Sequence, residues 1–521
     1  MAEPENTAAL LQAAAEAWPD KMALIDTHEA LRYADLLDRA TRHARRLQAL
    51  GLTPGARVAV LADKSVEAVA FLFGCFMAGS IAVPVNPRLK RLQVDHILAD
   101  SDAVLLAVLE GRGSFHETVQ HPGLGQVVLR PGAEPDMQLD GWTGTDPARS
   151  TAPSADPKEL ATLFYTSGST GLPKAVMCRH ENLCSGARSV VSYLQNTEAD
   201  RILAILPLSF DAGFSQLTTG FLSGATVVLR DYVLPADLSR ACDQHEITGL
   251  TGVPAIYKAA LSARWQDAAR HRLRYFANTG GHLPEAHVQK LRDQFPAAAP
   301  FLMYGLTEAF RSTYLDPAQV SVRPGSIGKA IPGARVVVVD EAGEECAPGE
   351  VGELVHAGPT VAAGYWKSPE ATARRFRPPP PCLQREGFSG PVVYSGDMVR
   401  RDAEGFLYFV SRTDRQIKIL GNRVSLAEIE NTALLSDAIT ACAAGTIAGE
   451  AGGDPTIVLF YTCGQDPEAG ARLEAWCRSE LPSFMVPGLF LRRDDLLLNP
   501  NGKYDVDAML AAHLRPEPVG A

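Results

Sequence analysis

The chain has 521 residues, too many for one hydrophobic core, so we expect two or more domains. Its apolar share of 46% and charged share of 21% are typical of a globular enzyme and exclude a disordered chain. A formal net charge of −11, without a long basic run, argues against a nucleic-acid partner.

The nine cysteines include no Cys-x-x-Cys pair, which predicts neither a disulfide framework nor a zinc ribbon and favours the reducing cytoplasm. The N-terminus lacks the charged and apolar regions of a signal peptide. The uncharged stretch 68–85 is long enough to suggest a membrane span. However, Gly74, Gly79 and Pro84 divide it into a buried helix and a short strand, so we expect no membrane partner.

Residues 21–107 alternate short apolar strands with helical stretches such as 33–50. This alternation is typical of a layered α/β domain with parallel strand pairs. Residues 110–157 show little periodicity, and we predict connecting loops there. His116 and His121 resemble a zinc-protease motif, but their spacing puts them on different helix faces and disfavours a metal site.

A loop of hydroxyl residues and glycines follows the apolar strand 160–165 and ends at Lys174. Glycines let the backbone approach an anion, the hydroxyls add donors and the lysine adds a compact charge, so we predict a phosphate-binding loop rather than a polar surface turn. A Walker A loop is excluded, because Pro173 stands where that motif requires its second glycine and Ala175 where it requires a hydroxyl.

A second alternating block runs over residues 202–278, and ligands of such sheets bind beyond the carboxyl ends of the strands. One candidate segment there contains Phe210 and Asp211. A carboxylate in these apolar surroundings needs a cation or amide donors when it is buried, although a helix N-cap is an alternative role. The next segment, Asn278-Thr279-Gly280-Gly281, predicts only a turn when taken alone.

A third segment runs from Met303 to Glu308 and contains Tyr304, Gly305 and Thr307. Its aromatic ring, glycine, hydroxyl and carboxylate can supply a face for a base, room for backbone approach and a ligand for Mg²⁺. Without further context, the same residues could form an ordinary loop before a helix.

The C-terminal part begins with a predicted β-rich region over residues 325–365 and a proline-rich stretch, 377–382, that predicts an exposed loop. Asp397 suits a ribose, because a carboxylate accepts from both vicinal hydroxyls, although Ser-Gly-Asp alone is more often a turn. The remaining residues predict a small α+β domain, in which Lys503 on its Pro/Gly turn would by itself be an exposed side chain.

Together these motifs resemble the adenylate-forming (AMP-binding) superfamily of acyl-CoA synthetases, luciferases and nonribosomal peptide synthetase adenylation domains, above all its stand-alone amino-acid or acyl adenylating ligases. The phosphate loop departs from the family at Ala175, where glycine is usual. The resemblance implies a large N-terminal domain, residues 1–413, built from layered α/β subdomains and a β-rich subdomain. A small mobile α+β domain, residues 414–521, would follow a hinge at Asp414.

The resemblance also implies the site residues. Those for the nucleotide are Thr166, Ser167, Gly168, Ser169, Thr170, Gly171, Lys174, Gly280, Gly281, Tyr304, Gly305, Thr307, Asp397 and Arg412. Those for the acid substrate are Phe210, Asp211, Asn278, Thr279, Gly280, Met303, Gly305 and Arg311. The catalytic residues are Lys503, Thr166, Glu308 and Arg412, and Glu308 is also the metal ligand.

Several of these residues have distinct implied roles. Tyr304 would stack on adenine, Thr307 would contact phosphate, and Asp397 with Arg412 would bind the ribose. Asp211 stands where amino-acid-activating members bind the substrate ammonium group, whereas many fatty and aryl acyl-CoA synthetases carry histidine at the position of Phe210. Arg311 could pair with a second substrate carboxylate or support neighbouring side chains.

The implied reaction uses ATP and Mg²⁺ to adenylate a small carboxylic acid, for which Asp211 favours an amino acid. The acyl group would then pass to a phosphopantetheine thiol of a separate carrier protein or to CoA, and because the chain ends soon after Lys503 we expect a stand-alone ligase. Asn422 departs from the aromatic or histidine residue common in the segment of the thiol step. Two alternatives stay open: an acyl-CoA synthetase for an aryl or aliphatic acid, and a catalytically silent nucleotide-binding protein.

Overall fold

The computed structural model describes residues 4–109, 124–130, 136–138, 156–166, 173–231, 234–412, 416–449, 453–464, 466–497 and 504–514. The chain divides into two compact units. The larger unit comprises Met1–Pro87, Ile97–Thr166 and Lys174–Thr413, and the smaller comprises Arg88–His96, Ser167–Pro173 and Asp414–Ala521.

The helices and strands of the described residues make up a mixed α/β fold, as the sequence predicted. The helices are α1 Thr7–Ala17, α2 Tyr33–Ala49, α3 Val66–Met77, α4 Arg91–Ser101, α5 His180–Leu194, α6 Asp211–Ser223, α7 Pro235–Gln244, α8 Pro254–Ser262, α9 Asp267–Arg272, α10 Glu285–Gln294, α11 Pro369–Arg375, α12 Pro381–Arg385, α13 Leu426–Leu434, α14 Ala469–Glu480 and α15 Val506–Leu514. The strands are β1 Met22–Ile25, β2 Ala30–Arg32, β3 Arg57–Leu61, β4 Ile81–Val85, β5 Ala103–Leu109, β6 Gly125–Leu129, β7 Asp136–Gln138, β8 Leu160–Thr166, β9 Lys174–Arg179, β10 Arg201–Ala204, β11 Thr226–Leu229, β12 Gly249–Gly252, β13 Tyr275–Asn278, β14 Ala299–Leu306, β15 Phe310–Leu315, β16 Ser326–Ala330, β17 Arg335–Val339, β18 Val351–Ala357, β19 Phe376–Arg377, β20 Val392–Arg401, β21 Leu407–Arg412, β22 Gln416–Ile419, β23 Asn422–Ser425, β24 Ala441–Ile447, β25 Thr456–Thr462 and β26 Leu489–Arg492.

A seven-stranded sheet of the larger unit has the order β7-β6-β5-β3-β4-β8-β9. The central strand β3 pairs in parallel with β4 and β5, as the alternation of elements predicted. Between β3 and β4 lies α3, whose apolar side chains are buried, so the uncharged stretch 68–85 is a helix followed by a strand. No helix of the described residues is long and apolar enough to cross a membrane.

A fourteen-stranded sheet of the same unit follows the order β17-β18-β20-β21-β16-β15-β14-β13-β12-β10-β11-β1-β2, with β19 beside β20. Strands β10 to β14 pair in parallel, and the buried side chains of Leu203, Leu250 and Phe276 build a core on them. From β14 onward the pairing is antiparallel. The sheet therefore joins the second alternating block to the predicted β-rich region.

Two local predictions were wrong. The stretch 110–157 was expected to hold only loops, yet β6 pairs in parallel with β5, and β7 pairs with β6. These short strands are held by edge pairing and by burial of Val127, which periodicity over so few residues does not reveal. The proline-rich stretch 377–382 was expected to be an exposed loop, but α12 begins at Pro381 and buries Cys382. Proline is compatible with the first turn of a helix, where its missing N–H has no helical partner.

The smaller unit is the predicted α+β arrangement. A hairpin of β22 and β23 is followed by α13, a three-stranded sheet in the order β24-β25-β26, and the helices α14 and α15. Ser425 caps α13 by accepting from the backbone N–H of Glu428 at 3.3 Å, which is the side-chain capping typical of helix starts. Ile429, Leu459 and Leu473 lie in its core.

Candidate functional site

Tyr304 and Asp397 are in direct contact, although three strands separate β14 from β20 in the order of the sheet. The Tyr304 hydroxyl donates to Oδ2 of Asp397, whose side chain is 1% exposed. The ring of His356, in β18, stacks on Tyr304 with a centroid distance of 6.2 Å and an interplanar angle of 20°. Burial lowers the pKa of His356 to about 3, so its ring is neutral at neutral pH. The residues predicted for the base and for the ribose thus form one cluster.

Glu308 lies in the turn between β14 and β15, and its side chain is 1% exposed. Its Oε1 accepts from the Tyr365 hydroxyl at 2.7 Å, and its backbone carbonyl accepts from the N–H of Ala362 at 2.9 Å. The segment that carries Tyr365 also bonds to β9, because the Met177 N–H donates to the Gly364 carbonyl at 2.9 Å. One short segment therefore ties the carboxylate to the strand that follows the phosphate loop.

The predicted phosphate loop is bounded by a backbone pair between Thr166, the last residue of β8, and Lys174, the first of β9. Burial lowers the pKa of Lys174, and the nearby charges of Arg374 and Arg375 lower it further. Three cations at the end of one loop create a positive local potential that suits a polyphosphate. The loop residues Ser167, Gly168, Ser169, Thr170 and Gly171 lie outside the described residues.

The donor set fits Mg²⁺ bound together with a nucleotide. Glu308 offers buried carboxylate oxygen, which is the ligand type that Mg²⁺ prefers. The described residues contain no group of three or more His, Cys, Asp or Glu side chains that could hold a metal ion by themselves. Mg²⁺ commonly takes one or two protein carboxylates and completes its shell with phosphate oxygens and water, so a single carboxylate here is compatible with it.

Asp211 is the first residue of α6, and Phe210 is the N-cap. The N-cap alternative for Asp211 is therefore wrong. Instead, its Oδ1 accepts from the hydroxyl of Thr307 at 3.1 Å, which links α6 to the β14–β15 turn. The chain enters α6 so closely that a Cβ at Gly213 would lie 1.9 Å from the Pro207 carbonyl oxygen, and this explains the glycine there.

Arg311 approaches the same turn of α6 from β15. Its Nη2 donates to the carbonyl of Ala212 at 3.2 Å and to the hydroxyl of Ser215, and its guanidinium lies over the Phe310 ring at 5.0 Å. Arg311 pairs with Gly305 in the hairpin, where a Cβ on the glycine would lie 2.2 Å from the Phe310 carbonyl oxygen. Only glycine permits this close approach of the two strands.

The segment from Asn278 to Gly281 begins at the last residue of β13. The Asn278 side-chain amide donates to the Gly281 carbonyl at 2.8 Å, and the Thr279 N–H donates to the Gly252 carbonyl at 2.9 Å. Gly280 has φ +75°, a conformation that favours glycine. In the neighbouring strand β14, the buried Met303 accepts from the Tyr193 hydroxyl at 3.0 Å.

The structure thus brings Tyr304 to Asp397 and Thr307 to Asp211, while Asp414, Lys503 and the side chain of Arg412 lie outside the described residues. Sequence reasoning missed four side chains at these contacts: Tyr365, His356, Arg374 and Arg375. None of them stands in a spaced motif with its partner, and His356 alone offered a signal, as a histidine in the apolar run of β18.

A sequence model for "AMP-binding enzyme" matches residues 11–366. Feruloyl-CoA synthase of Amycolatopsis sp is 32% identical over 497 residues, which cover 93% of this chain and 96% of that protein. Tyrocidine synthase 3 of Brevibacillus parabrevis is 31% identical over 94% of this chain, but the chain spans only 7% of the length of that relative. The crystal structure of IdnL1 matches with a TM-score of 0.80 at 28% identity, over 95% of this chain and 99% of that one.

Proposed function

Because the chain belongs to the AMP-binding enzyme family, whose members are AMP-forming ligases that adenylate carboxylic acids with ATP, we propose that it activates an amino acid and passes it to the phosphopantetheine thiol of a separate carrier protein. The observation that carries the amino-acid proposal is Asp211 at the start of α6. Its carboxylate, held by Thr307 in the same turn as Glu308, suits an ammonium group of the substrate.

In the first step, a carboxylate oxygen of the acid attacks the α-phosphorus of ATP. A new bond from oxygen to phosphorus forms, the bond to pyrophosphate breaks, and acyl-AMP results. Two anions must approach each other, so the protein acts chiefly by positioning and charge neutralisation. Glu308 would hold the Mg²⁺, which when bound neutralises charge on the phosphate oxygens.

The remaining predicted residues have complementary tasks. Tyr304 and Asp397 would orient the adenosine, and their mutual contact supports a common ligand. Lys174 at the end of the phosphate loop would neutralise phosphate charge, and Lys503 would lie between the acid and the α-phosphate. In the second step, a thiol attacks the acyl carbon and AMP leaves, and we propose that residues 414–521 turn about Asp414 between the two steps.

The experiment is ATP–pyrophosphate exchange on amino, aryl and aliphatic acids. Amino acids should drive exchange better than their des-amino analogues. Asp211→Asn should remove most of that preference by lowering kcat/KM for the amino acid about 10²–10³-fold, because the bound ammonium group would lose its counter-charge. Asp237→Asn is the matched control, because Asp237 also lies in the first turn of a helix, where it caps α7 and pairs with Arg240 of the same helix. Unchanged preference in Asp211→Asn would count against the proposal.

A second candidate is an acyl-CoA synthetase for a non-amino acid. It is favoured by the feruloyl-CoA synthase, which is similar along nearly its whole length. In this case, an aryl acid should drive exchange at least as well as any amino acid, and CoA should release AMP from the loaded enzyme without a carrier protein.

A further inference from the structure

Arg311 is a buried cation with neutral hydrogen-bond partners. Its side chain is 2% exposed, and its Nη2 donates to the Ala212 carbonyl and the Ser215 hydroxyl. Its Nε has no hydrogen-bond partner of good geometry within the part of the chain that the structure describes, and the Tyr193 hydroxyl, a further neutral group, lies near the guanidinium. A buried donor left without a partner in a native structure calls for an explanation, and a group that joins it on binding is one.

A comparison with Arg274 shows that Arg311 differs in lacking an ion-pair partner among the described residues. Both guanidinium groups lie over an aromatic ring at 5.0 Å. Arg274 also forms an ion pair with Asp200 at 2.8 Å, whereas the ion pairs among the described residues include none with Arg311. A guanidinium buried without a counter-charge is unfavourable, because burial removes its hydration and no anion replaces it.

The position of Arg311 indicates which anion could fill this role. Its two hydrogen bonds go to Ala212 and Ser215, both within the first five residues of α6, the helix that begins with Asp211. The β14–β15 turn just before Arg311 supplies Thr307, which donates to Asp211. One positive and one negative side chain therefore converge on the same turn of α6 without forming an ion pair with each other.

We propose that Arg311 binds a second carboxylate of the substrate, so that the activated acid is an amino dicarboxylic acid such as aspartate or glutamate. This inference rests on the proposed function, because it assigns the substrate ammonium group to Asp211 and the reacting carboxylate to ATP. The charges then match, with the ammonium at Asp211 and the second carboxylate at Arg311. The planar guanidinium suits a carboxylate, and an incoming carboxylate would give Nε the acceptor that it lacks.

The test compares kcat/KM in pyrophosphate exchange for two isosteric pairs, aspartate with asparagine and glutamate with glutamine. The wild type should prefer one of the acids to its amide by about 10²–10³-fold, the loss that follows when a buried charge is left without its partner. Arg311→Met should abolish this preference, and Arg311→Lys should keep part of it, because lysine retains the charge without the fork geometry. Arg274→Met, the matched control, should keep the preference.

Thermal unfolding without substrates separates this role from a purely structural one. Arg311→Met should lower Tm less than Arg274→Met does, because removal of a buried charge without a counter-charge offsets the loss of its hydrogen bonds to Ala212 and Ser215. The Tm rise caused by the preferred acid should disappear. Arg274→Met should lower Tm, because it leaves Asp200 unpaired. A lower Tm in Arg311→Met, with the acid-to-amide ratio unchanged, would overturn the proposal.

The substrate panel also separates failure of this inference from failure of the proposed function. If a neutral amino acid such as alanine drives exchange better than aspartate and glutamate, the assignment of Arg311 is wrong and amino-acid activation stands. If succinate equals aspartate and Arg311→Met abolishes the preference of succinate over succinamate, Arg311 binds the second carboxylate and amino-acid activation is wrong.

Discussion

The hydrogen bond from Tyr365 to Glu308 can be removed without changing the bulk of either side chain, by Tyr365→Phe. The bond is 2.7 Å long, and its acceptor is a buried carboxylate that is 1% exposed. A hydrogen bond to a charged group contributes about 1.5–3 kcal/mol, which corresponds to about 10- to 100-fold in an equilibrium constant. Loss of a side chain that orients a metal ligand costs a similar factor in metal affinity.

The assay is the rate of pyrophosphate exchange as a function of free Mg²⁺ at saturating acid and ATP. We expect Tyr365→Phe to raise the Mg²⁺ concentration for half-maximal rate by about 10- to 100-fold, with most of the rate recovered at high Mg²⁺. Tyr33→Phe is the control, because the buried Tyr33 hydroxyl donates to the Ala225 carbonyl at 2.6 Å, remote in sequence from Glu308. That variant should lose stability and keep the Mg²⁺ dependence.

The reasoning fails if Tyr365→Phe shows the wild-type Mg²⁺ curve at the wild-type rate. It also fails if the rate falls by the same factor at every Mg²⁺ concentration, because the hydroxyl would then act on the reaction without positioning the carboxylate that holds the metal.

Three further predictions concern other parts of the chain. Gly305→Ala should lower exchange with every acid and reduce Tm, because its Cβ would lie 2.2 Å from the Phe310 carbonyl oxygen. Gly390→Ala, with nothing within 4 Å of its Cβ, should retain activity and Tm. Wild-type activity and Tm in Gly305→Ala would contradict this prediction. Burial raises the pKa of Glu428 to about 8, above its unfolded value, so the folded state binds the extra proton and the free energy of unfolding falls between about pH 4.3 and 8. In urea titrations at pH 5 and 7, Glu428→Gln should remove up to about 1.4 kcal/mol per pH unit of this slope. An unaltered slope would disprove the prediction. Lys503→Ala should lower exchange by about 10²–10³-fold, the usual loss of one charge-stabilising donor, and an undiminished rate would refute its assigned role.

The sequence predicted the fold and the site correctly where the pattern that indicates them lies within one short segment. The alternation of apolar strands and helices predicted the parallel pairing of β3 with β4, and the change of pattern after residue 325 predicted the β-rich region. Tyr304, Thr307 and Glu308 lie within five consecutive residues, so their chemistry predicts one site without knowledge of their partners. These signals are local, because the periodicity of apolar side chains that marks a strand or a helix repeats within a few residues.

The contacts that sequence reasoning missed are all long-range. Tyr365 reaches Glu308 because its segment pairs with β9, and nothing in either segment encodes that pairing. His356 has a signal of a different kind, since a histidine in the apolar run of β18 is unusual, but the ring it stacks on lies in β14, and four strands separate β18 from β14 in the sheet order. Such contacts depend on the curvature of a large sheet, which is a property of the assembled strands.

The β14–β15 hairpin links the parts of the proposed reaction. Tyr304 contacts β20, Thr307 contacts α6, Glu308 contacts the segment after residue 361, and Arg311 returns to α6. Because eight consecutive residues make these contacts, the groups proposed for the base, the metal and the acid are fixed relative to one another by one piece of backbone. An acid that binds poorly at α6 would therefore disturb the turn that carries Glu308. Selection of the acid and alignment of the nucleotide are then coupled through the hairpin, and a mismatched acid should lower the rate of adenylation as well as its own affinity.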